Sequence, residues 1–400
     1  MTERIYYTEP YAAEFDATVV TTEPVAGVAI RHAVILDRTA FYPTSGGQPF
    51  DTGTLGSARV VDVVDEEDGR IVHVVEGEVP SGRVRGRIDW PRRFEHMQQH
   101  TGQHVLSAAF DRLLQVRTVS FHLGTTSATI DLAREVTAGE IARAELEANR
   151  IVWEDRLVTI RFADAEEAAK LSLRKESKRE GVLRLIDVDG FDVSACGGTH
   201  VARTGAIGII AVAGSEKFKG GTRLEFLCGG RALAGFHALG DSVAASVRLL
   251  SVLPAELPAA IERQQNDARD LRRQVKDLQI RLAGHEAAAL AEAAESAGST
   301  RLVVAALEGW DANGLKTIAA AIAARPGYAA LLIGGPAPSA IVVARAPDVA
   351  IDCAAILKQL TTTFGGKGGG RPELAQGGGL QGPTEDVVRA ARALLELPKN

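Results

Sequence analysis

Cysteine is scarce in this sequence, with three residues among 400, at Cys196, Cys228 and Cys353. Three widely spaced cysteines do not make a disulfide framework and are consistent with reduced thiols. Cys228 and Cys353 stand in apolar stretches, which favours their interpretation as small buried hydrophobic residues. Cys196 differs, because two glycines, a threonine and a histidine follow it directly.

Long apolar runs are also missing. No stretch approaches ~18 uninterrupted apolar residues, so a transmembrane helix is not expected. The first ten residues, MTERIYYTEP, lack the charged-then-apolar pattern of a signal peptide. A cytoplasmic location and no membrane partner are therefore expected.

An excess of positive charge is absent as well, since the formal net charge is −6. This balance argues against a protein that coats nucleic acid generically, but it is compatible with local basic surfaces. The length of 400 residues is too great for one compact core and predicts two or three domains.

Residues 1 to 90 are rich in short Val/Ile runs separated by Gly, Asp and Pro, a pattern typical of β-strands. The turn-rich stretch Phe41–Gly53 (FYPTSGGQPFDTG) lies between these runs. Taken locally, it indicates a hairpin connection in which Pro and Gly only shape the turns. The strands are expected at Val28–Leu36, Arg59–Val64, Ile71–Val75 and Arg83–Ile88.

Residues 91 to 240 alternate helical and strand patterns, which predicts an α+β unit. It opens with a helix, because apolar residues from Val105 to Phe110 recur with helical spacing. Further helices are expected at Ala138–Ile151 and Ala163–Ser177, the second ending in the basic run Arg174–Arg179. Strands are expected at Thr118–His122, Ser127–Leu132, Leu157–Phe162, Val182–Val188, Ile207–Val212 and Thr222–Leu227.

Pro254 and Pro258 mark the start of a helical segment that spans about residues 254 to 298. Four apolar residues in it are spaced like a coiled-coil seam, but over fewer heptads than a firm assignment needs. A helical arm or hairpin is expected, with dimerisation through it as a weaker inference. The seam residues are Leu271, Val275, Leu278 and Leu282.

Residues 300 to 400 alternate buried-strand and helix patterns, which predicts an α/β module. Its glycine-rich stretch Phe364–Gly379 (FGGKGGGRPELAQGGG) carries Lys367 and Arg371. Glycines let a ligand approach the backbone closely, and the two cations supply charge for phosphate. A Pro-Glu-Leu-Ala segment, taken as helical, separates the glycine clusters, which favours a binding surface over a flexible linker.

His100 and His104 are four residues apart on the first helix, so both project from one face and can reach a single metal ion. The pair alone is equally consistent with surface polar residues. Cys196 and His200 enclose a tight Gly-Gly loop, and three imidazoles with one thiolate suit Zn²⁺. A structural zinc and a working zinc with an exchangeable position both stay open. Residues 101 and 103 are Thr and Gln, so the HExxH base of a metallopeptidase is absent.

These motifs carry a resemblance to a known family. HTGQH and CGGTH, with FYPTSGGQPFDTG before them and GGKGGGRPELAQGGG after them, resemble the editing and C-terminal parts of alanyl-tRNA synthetase. The chain is similar, over nearly its whole length, to the free-standing alanyl-tRNA editing proteins of the AlaX family in their long form. The resemblance implies an α+β multidomain protein: a β-barrel-like domain (1–90), a zinc-containing α+β editing domain (91–240), a helical linker (254–298) and a C-terminal α/β domain of the DHH-associated type (300–400).

The resemblance also implies a function, the trans-acting hydrolysis of mischarged Ser-tRNA(Ala), with Gly-tRNA(Ala) as a further candidate. One zinc per chain is expected on His100, His104, Cys196 and His200. Accepting serine and rejecting alanine requires a group that hydrogen-bonds the serine hydroxyl, and the candidates are Thr118 and Ser120. Gln48 joins Thr118 and Ser120 as a catalytic candidate. Other residues are expected to contact the tRNA: Gly46, Gly47, Arg92, Arg93, Lys217, Lys219, Lys367 and Arg371.

Other interpretations compete with this one. A zinc-stabilised tRNA-binding module without catalysis fits the same motifs, and HxxxH with CxxxH alone also fits a threonyl-type editor. A DHH phosphoesterase is disfavoured, because no Asp-His-His tripeptide occurs. No aminoacylation core precedes the β-rich region, so amino-acid activation is not expected. A homodimer through the helical segment or the C-terminal domain is compatible with the pattern.

Overall fold

The computed structural model describes residues 1–25, 31–77, 81–164, 166–167, 173–174, 181–335 and 337–395. The chain divides into two compact units, Met1–Ser246 and Val247–Asn400. The four segments expected from the sequence divide the chain more finely, and their boundaries stay predictions.

The N-terminal part of the first unit is a closed six-stranded β-barrel. This part of the chain has eight strands, six of which form the barrel: β1 Glu3–Arg4, β2 Glu14–Pro24, β3 Arg31–Leu36, β4 Arg38–Thr39, β5 Gly53–Leu55, β6 Ala58–Asp65, β7 Ile71–Glu76 and β8 Arg83–Ile88. The barrel closes in the order β2-β3-β7-β6-β5-β8, while β1 pairs with β4. The barrel-like fold expected from the sequence is confirmed.

Alternation of side chains explains the barrel, because successive residues of a strand face opposite sides. In β8, Val84 and Ile88 are buried and the intervening arginines are exposed. β2 follows the same rule with Phe15 and Ala17 inside. The sequence analysis missed β2, since acidic residues interrupt the start of its apolar pattern.

The rest of the first unit is an α+β arrangement. Its helices are α1 Trp90–Leu114, α2 Ala138–Trp153 and α3 Gly229–Leu250. Its strands are β9 Thr118–Leu123, β10 Ala128–Leu132, β11 Val158–Ala163, β12 Leu183–Val188, β13 Asp192–Ala195, β14 Ile210–Phe218 and β15 Gly221–Cys228. They form two antiparallel sheets, β14-β15-β10-β9 and β11-β12-β13.

Helix α1 passes through the middle of this arrangement. Every residue from Gln99 to Phe110 is buried, and Val105, Leu106 and Phe110 join the hydrophobic core. A helix buried on all sides is unusual when it carries several polar side chains. Those polar groups must therefore find partners inside the protein.

The second unit is built on a six-stranded sheet. Its helices are α4 Leu257–Glu292, α5 Ala312–Ala323, α6 Cys353–Phe364 and α7 Thr384–Leu395. Its strands are β16 Glu295–Ala297, β17 Thr300–Leu307, β18 Tyr328–Gly334, β19 Ser339–Arg345, β20 Lys367–Arg371 and β21 Leu374–Leu380. The sheet order is β16-β17-β18-β19-β21-β20, and only the β17–β18 pairing is parallel.

The helical character expected for Pro-Glu-Leu-Ala is wrong. Pro372 and Glu373 form the turn between β20 and β21, and Leu374 and Ala375 begin the second strand. β21 also pairs with β19, so extension of the sheet overrides a short local helix preference. The glycine-rich stretch is a β-hairpin.

Other expectations fall elsewhere. The helix expected at Ala163–Ser177 and the basic run Arg174–Arg179 lie largely outside the described residues, although Ala163 itself ends β11. The coiled-coil seam lies on α4, where its four residues are exposed at 52% to 61%. The sequence analysis did not anticipate α3, β13, β16 or α7.

Within the described chain, no single helix is long and apolar enough to cross a membrane. One bent pair, Gly229–Leu250 with Pro254–Glu292, meets the criterion by length and composition only.

Candidate active site

The structure brings together four side chains that can hold a metal ion. α1 supplies His100 and His104, and the loop after β13 supplies Cys196 and His200. Their ligand atoms all lie within 4.8 Å of one another. The Cys196 Sγ is 3.3 Å from Nε2 of His100 and 3.3 Å from Nε2 of His200. These are the four residues that the sequence analysis named, and one ion can reach all of them.

Each imidazole of the cluster is supported from outside by an oxygen atom. A carboxylate or amide oxygen only accepts hydrogen bonds, so the imidazole Nδ1 facing it carries the proton and Nε2 keeps its lone pair for the cluster. Partners of this kind orient metal-bound histidines. The Nδ1 contacts are His100 to Gln48 Oε1 at 2.8 Å, His104 to Asp192 Oδ2 at 3.3 Å, and His200 to Thr101 Oγ1 at 3.2 Å.

Gln48 connects the Phe41–Gly53 loop to the cluster. Its Oε1 accepts a hydrogen bond from the Thr199 N–H at 3.1 Å, and its Nε2 donates to Thr199 Oγ1 at 2.9 Å. The side chain is fully buried. The expectation that Gln48 acts on substrate is corrected, because both of its polar atoms are occupied. It is a positioning residue for His100.

Glycines of the Phe41–Gly53 loop and of the Cys196–His200 loop allow close packing around the cluster. Gly198 has no room for a side chain, since a Cβ there would meet the His100 ring and Gln48 Oε1. Gly47 has φ +85°, which favours glycine, and its carbonyl accepts a hydrogen bond from the Leu123 N–H at 3.1 Å. Gly46 lines the adjacent cavity. The loop that was read locally as a turn is thus part of the site.

The electrostatics of the cluster favour metal binding. Burial raises the pKa of the Cys196 thiol, but the imidazoles of His100 and His200 outweigh it and hold that pKa well below its usual value. Burial lowers the pKa of His200 to about 3. A thiolate beside a neutral imidazole is the protonation state that a metal ion requires.

Asp192 is itself held by neighbours. Burial raises its pKa, but hydrogen bonds from His104 and Arg174 outweigh burial and lower it to about 2. Arg174 Nε donates to its Oδ1 at 2.8 Å, and Ser194 Oγ donates to its Oδ2 at 2.9 Å. The carboxylate therefore stays charged at neutral pH and fixes the His104 ring.

The donor set fits a borderline-soft divalent ion. Three imidazole nitrogens and one thiolate are the ligands that Zn²⁺ prefers, and four of them suit its tetrahedral geometry. Supporting oxygens lie behind all three rings. The residues present can therefore hold such an ion at His100, His104, Cys196 and His200.

The cluster lies at the wall of a cavity of about 650 Å³. Strands and loops of both the barrel and the α+β arrangement line it. Three buried polar atoms of lining residues have no hydrogen-bond partner: Tyr6 Oη, Gln103 Oε1 and Arg184 Nη2. Unpaired buried polar atoms are rare in folded proteins, so their presence in one cavity indicates a space built for a polar ligand.

Thr118 and Ser120 both line the cavity, but their hydroxyls have different surroundings. Thr118 Oγ1 donates to Ser107 Oγ at 2.8 Å, which Gln103 Nε2 also reaches at 2.8 Å. Ser120 Oγ donates to Asp131 Oδ2 at 2.5 Å, and that carboxylate is paired with Arg223.

The predicted tRNA-contacting cations are less alike than the sequence suggests. Arg93 is fully buried and paired with Asp51, so the expectation that it contacts tRNA phosphate is corrected. Arg92 Nε donates to the Phe50 carbonyl at 3.1 Å. Lys217 is exposed and lies 2.8 Å from Glu135. Lys367 and Arg371 stand at the two ends of the exposed strand β20, and Lys219 lies over the Phe218 ring.

The sequence analysis missed several residues that build the site. Asp192 and Thr101 support the imidazoles, Gln103 and Arg184 line the cavity, and Ser107 accepts the hydrogen bond of the Thr118 hydroxyl. Thr101 and Gln103 lie inside HTGQH, so their burial on an all-buried helix was the available signal. Asp192 and Arg184 had no such signal, because only the tertiary fold brings them to α1.

Sequence profiles of three families match the chain. "tRNA synthetases class II (A)" matches residues 1–92, "Threonyl and Alanyl tRNA synthetase second additional domain" matches 183–225, and "DHHA1 domain" matches 299–397. The last match covers the β17–α7 part of the second unit and confirms a C-terminal domain of the expected type.

The alanyl-tRNA editing protein AlaX-L of Pyrococcus horikoshii is 33% identical over 390 residues, which cover 94% of each chain. The alanine–tRNA ligase of Pyrococcus abyssi is 33% identical over 413 residues, and that of Methanoregula boonei 34% over 401. These matches cover 100% and 97% of this chain but 43% and 42% of the ligases.

The chain thus spans less than half the length of these ligases and nearly all of AlaX-L. The solved C-Ala domain of Aquifex aeolicus alanyl-tRNA synthetase covers 26% of this chain and 97% of its own, at 19% identity and a TM-score of 0.24, which is too low to add support. The match to AlaX-L extends over the barrel, the Cys/His cluster and the C-terminal sheet, and on that ground the chain belongs to the family of alanyl-tRNA editing proteins.

Proposed function

We propose that this chain is an aminoacyl-tRNA deacylase that hydrolyses mischarged tRNA(Ala) in trans. Ser-tRNA(Ala) is the principal substrate and Gly-tRNA(Ala) the second. The observation that carries the proposal is the four-residue Cys/His cluster at the wall of a polar cavity, in a chain that aligns with AlaX-L over nearly its full length. The reaction is attack of water on the ester carbonyl, which releases free amino acid and tRNA.

The ion proposed for the cluster is Zn²⁺, one per chain. When bound, zinc polarises a carbonyl oxygen or lowers the pKa of a bound water to about 7. The chain's own residues do the rest. Gln48, Asp192 and Thr101 hold the imidazoles in orientation, and the cavity walls keep the ester beside them. His100, His104, Cys196 and His200 would hold the ion, and a working zinc with an exchangeable position would require His200 to give way.

Thr118 is the proposed selector of serine. Its hydroxyl hydrogen is donated to Ser107, so its oxygen lone pairs are left to accept a hydrogen bond from the serine side chain in the cavity. Alanine offers no donor and leaves that oxygen unpaired, which favours serine. Ser120 is the weaker candidate, since its hydroxyl is bound to the Asp131–Arg223 ion pair.

The proposal is tested by deacylation of Ser-, Gly- and Ala-charged tRNA(Ala) with purified protein. Cys196→Ala removes the only thiolate of the cluster, so we expect loss of bound zinc and a fall in Ser-tRNA(Ala) hydrolysis of at least ~100-fold, as removal of a metal ligand disables the centre. Cys353→Ala is the matched control, because this cysteine is buried in the second unit and its loss should leave zinc content and rate unchanged. Equal activity of wild type and Cys196→Ala contradicts the proposal.

Two other functions are outcomes of the same assay. A threonyl-type editor would cleave Ser-tRNA(Thr) in preference to Ser-tRNA(Ala); the profile at residues 183–225 is common to both branches. A zinc-stabilised tRNA-binding module would bind tRNA and leave every ester intact. The alanyl branch is favoured by relatives that match nearly the whole of this chain, among them AlaX-L and two alanine–tRNA ligases.

A further inference from the structure

Arg184 differs from the other arginines of the cavity because no carboxylate in the described part of the chain pairs with it, and the negative group that acts on it is the Cys196 thiolate. It stands on β12 next to the cluster-bearing loop and is 8% exposed. Arg4, which lines the same cavity, is paired with Asp65 at 2.6 Å, and Arg174 is paired with Asp192 at 2.8 Å.

Backbone carbonyls hold the guanidinium in one orientation. Nε donates to the Tyr7 carbonyl at 2.9 Å, and Nη1 donates to the carbonyls of Cys196 at 2.6 Å and Gly198 at 2.9 Å. Nη2 is buried and has no partner. The two N–H groups on Nη2 are therefore fixed in direction and unused.

An unpaired hydroxyl lies in the same cavity as the unpaired Nη2 of Arg184. The Tyr6 side chain is 1% exposed, and its Oη has no hydrogen-bond partner. A buried guanidinium with an unpaired Nη2 and a buried phenol without an acceptor both destabilise the free protein. Both deficits are relieved by one ligand that brings negatively charged oxygen atoms.

The substrate of the proposed reaction has one such group close to its ester. The amino-acid end carries a cationic α-ammonium, which Arg184 repels. One ribose away from the ester, on the 5′ side of the terminal nucleoside, lies a phosphodiester. Arginine suits this group, because its planar fork donates two parallel hydrogen bonds to phosphate oxygens.

We propose that Arg184, together with the Tyr6 hydroxyl, binds the phosphodiester on the 5′ side of the terminal nucleoside of the charged tRNA. This inference rests on the proposed deacylase function. Because Arg184 also holds the carbonyls of Cys196 and Gly198, the phosphate anchor and the ligand loop are one rigid piece. Phosphate binding therefore anchors the charged end of the tRNA beside the cluster, in the ground state and the transition state alike.

The test compares two substrates that share the ester and differ in the phosphodiester. These are Ser-tRNA(Ala) and the seryl ester of adenosine, which has no phosphate. For Arg184→Gln we expect kcat/KM on the tRNA to fall about 10- to 100-fold, as hydrogen bonds to charged groups imply. The loss should appear as a rise in KM with kcat unchanged, because the phosphate is bound equally in ground and transition states. On the adenosine ester, which has no phosphate, the loss should be at least about tenfold smaller than the loss on the tRNA.

Two further variants separate binding from folding. Arg184→Lys keeps the charge and should recover part of the loss on tRNA. Tyr6→Phe removes only the hydroxyl and should raise KM for the tRNA about three- to tenfold while the adenosine ester is unaffected. Arg161→Gln is the control, since Arg161 is exposed and paired with Asp187 on the neighbouring strand. Zinc content measured by metal analysis should be the same in all of them.

A structural role for Arg184 gives a different result. If the residue only holds the ligand loop, Arg184→Gln loses zinc and slows both substrates by the same factor, which overturns the inference. A fall in kcat on both substrates with zinc retained also overturns it, since it indicates contact with the ester oxygen. The salt dependence of tRNA binding tests independently whether Arg184 contacts a phosphate. Loss of one phosphate contact should make the slope of log K against log salt shallower by about 0.7, and an unchanged slope contradicts the proposal.

Failure of this inference can be told from failure of the proposed function. If wild-type protein cleaves Ser-tRNA(Ala) and Arg184→Gln is equally impaired on both substrates, only the proposed phosphate contact is refuted. If wild-type protein cleaves neither ester, both the proposed function and the phosphate contact are refuted.

Discussion

At Asp192 one carboxylate joins the metal cluster to a strand that the sequence analysis did not anticipate. The residue begins β13, accepts from His104 at 3.3 Å, and is held by Arg174 and Ser194. A carboxylate in this place fixes the proton on Nδ1 of His104 and leaves Nε2 for the metal. The cluster is thus oriented by residues that are not themselves ligands.

Replacing Asp192 with asparagine should weaken metal binding by about 10- to 100-fold, the usual cost of losing such a support. Asparagine can turn its amide N–H toward His104 and favour the wrong tautomer. Zinc affinity measured by competition with a chromogenic chelator tests this. Asp187→Asn is the control, because Asp187 pairs with exposed Arg161 on the same sheet. An unchanged zinc affinity in Asp192→Asn would show that the tautomer is set in another way.

At the scale of elements, the barrel contains a titratable group in its core. His73 on β7 is fully buried, donates from Nδ1 to the Val34 carbonyl at 3.1 Å, and accepts from Thr39 Oγ1 at 2.7 Å. Burial lowers its pKa from 6.5 to about 4. The barrel is built for the neutral imidazole.

This lowered pKa predicts acid sensitivity. Between pH 6.5 and about 4 the unfolded chain binds a proton that the folded barrel does not. The contribution of His73 to the free energy of unfolding is therefore greatest above pH 6.5 and decreases as the pH falls through this range. The difference corresponds to roughly 3 kcal/mol. Urea unfolding from pH 7.5 to 4 should show a shallower pH dependence in His73→Leu than in wild type. His237→Leu, at an exposed position, should keep the wild-type slope.

The hairpin of β20 and β21 shows how an element is decided by its surroundings. Glycine-rich sequence with a Pro-Glu-Leu-Ala insert gave no alternating apolar pattern from which strands could be recognised. In the structure β21 pairs with the edge of β19 that β18 does not use, and the hairpin thereby adds two strands to the sheet. Gly368 lies against Gly377 so closely that a Cβ on either would meet backbone atoms of the opposite strand.

At the scale of the whole molecule, the metal cluster and the predicted phosphate-binding cations of the glycine-rich hairpin lie in different units. The cluster and its cavity belong to Met1–Ser246, and the exposed cations Lys367 and Arg371 belong to Val247–Asn400. Self-association through the exposed seam of α4 stays a prediction.

Lys367→Ala combined with Arg371→Ala should weaken tRNA binding without slowing hydrolysis at saturating tRNA. If both cations contact phosphates, the slope of log K against log salt should become shallower by roughly 1.5. Lys316→Ala with Arg389→Ala removes the same charge from helices of the same unit and is the matched control. Equal slopes for the two double variants would place the tRNA surface elsewhere.

The sequence by itself named the four residues of the Cys/His cluster, indicated the barrel and carried the resemblance to the family. Ligand type and helical spacing are local properties, and alternation along a strand is visible without a structure. Only the tertiary structure decided that Gln48 supports His100, that Arg93 is buried against Asp51, and that Nη2 of Arg184 is left without a hydrogen-bond partner. The physical reason is that burial and pairing depend on residues distant in the chain, and no local pattern records which charge finds a partner.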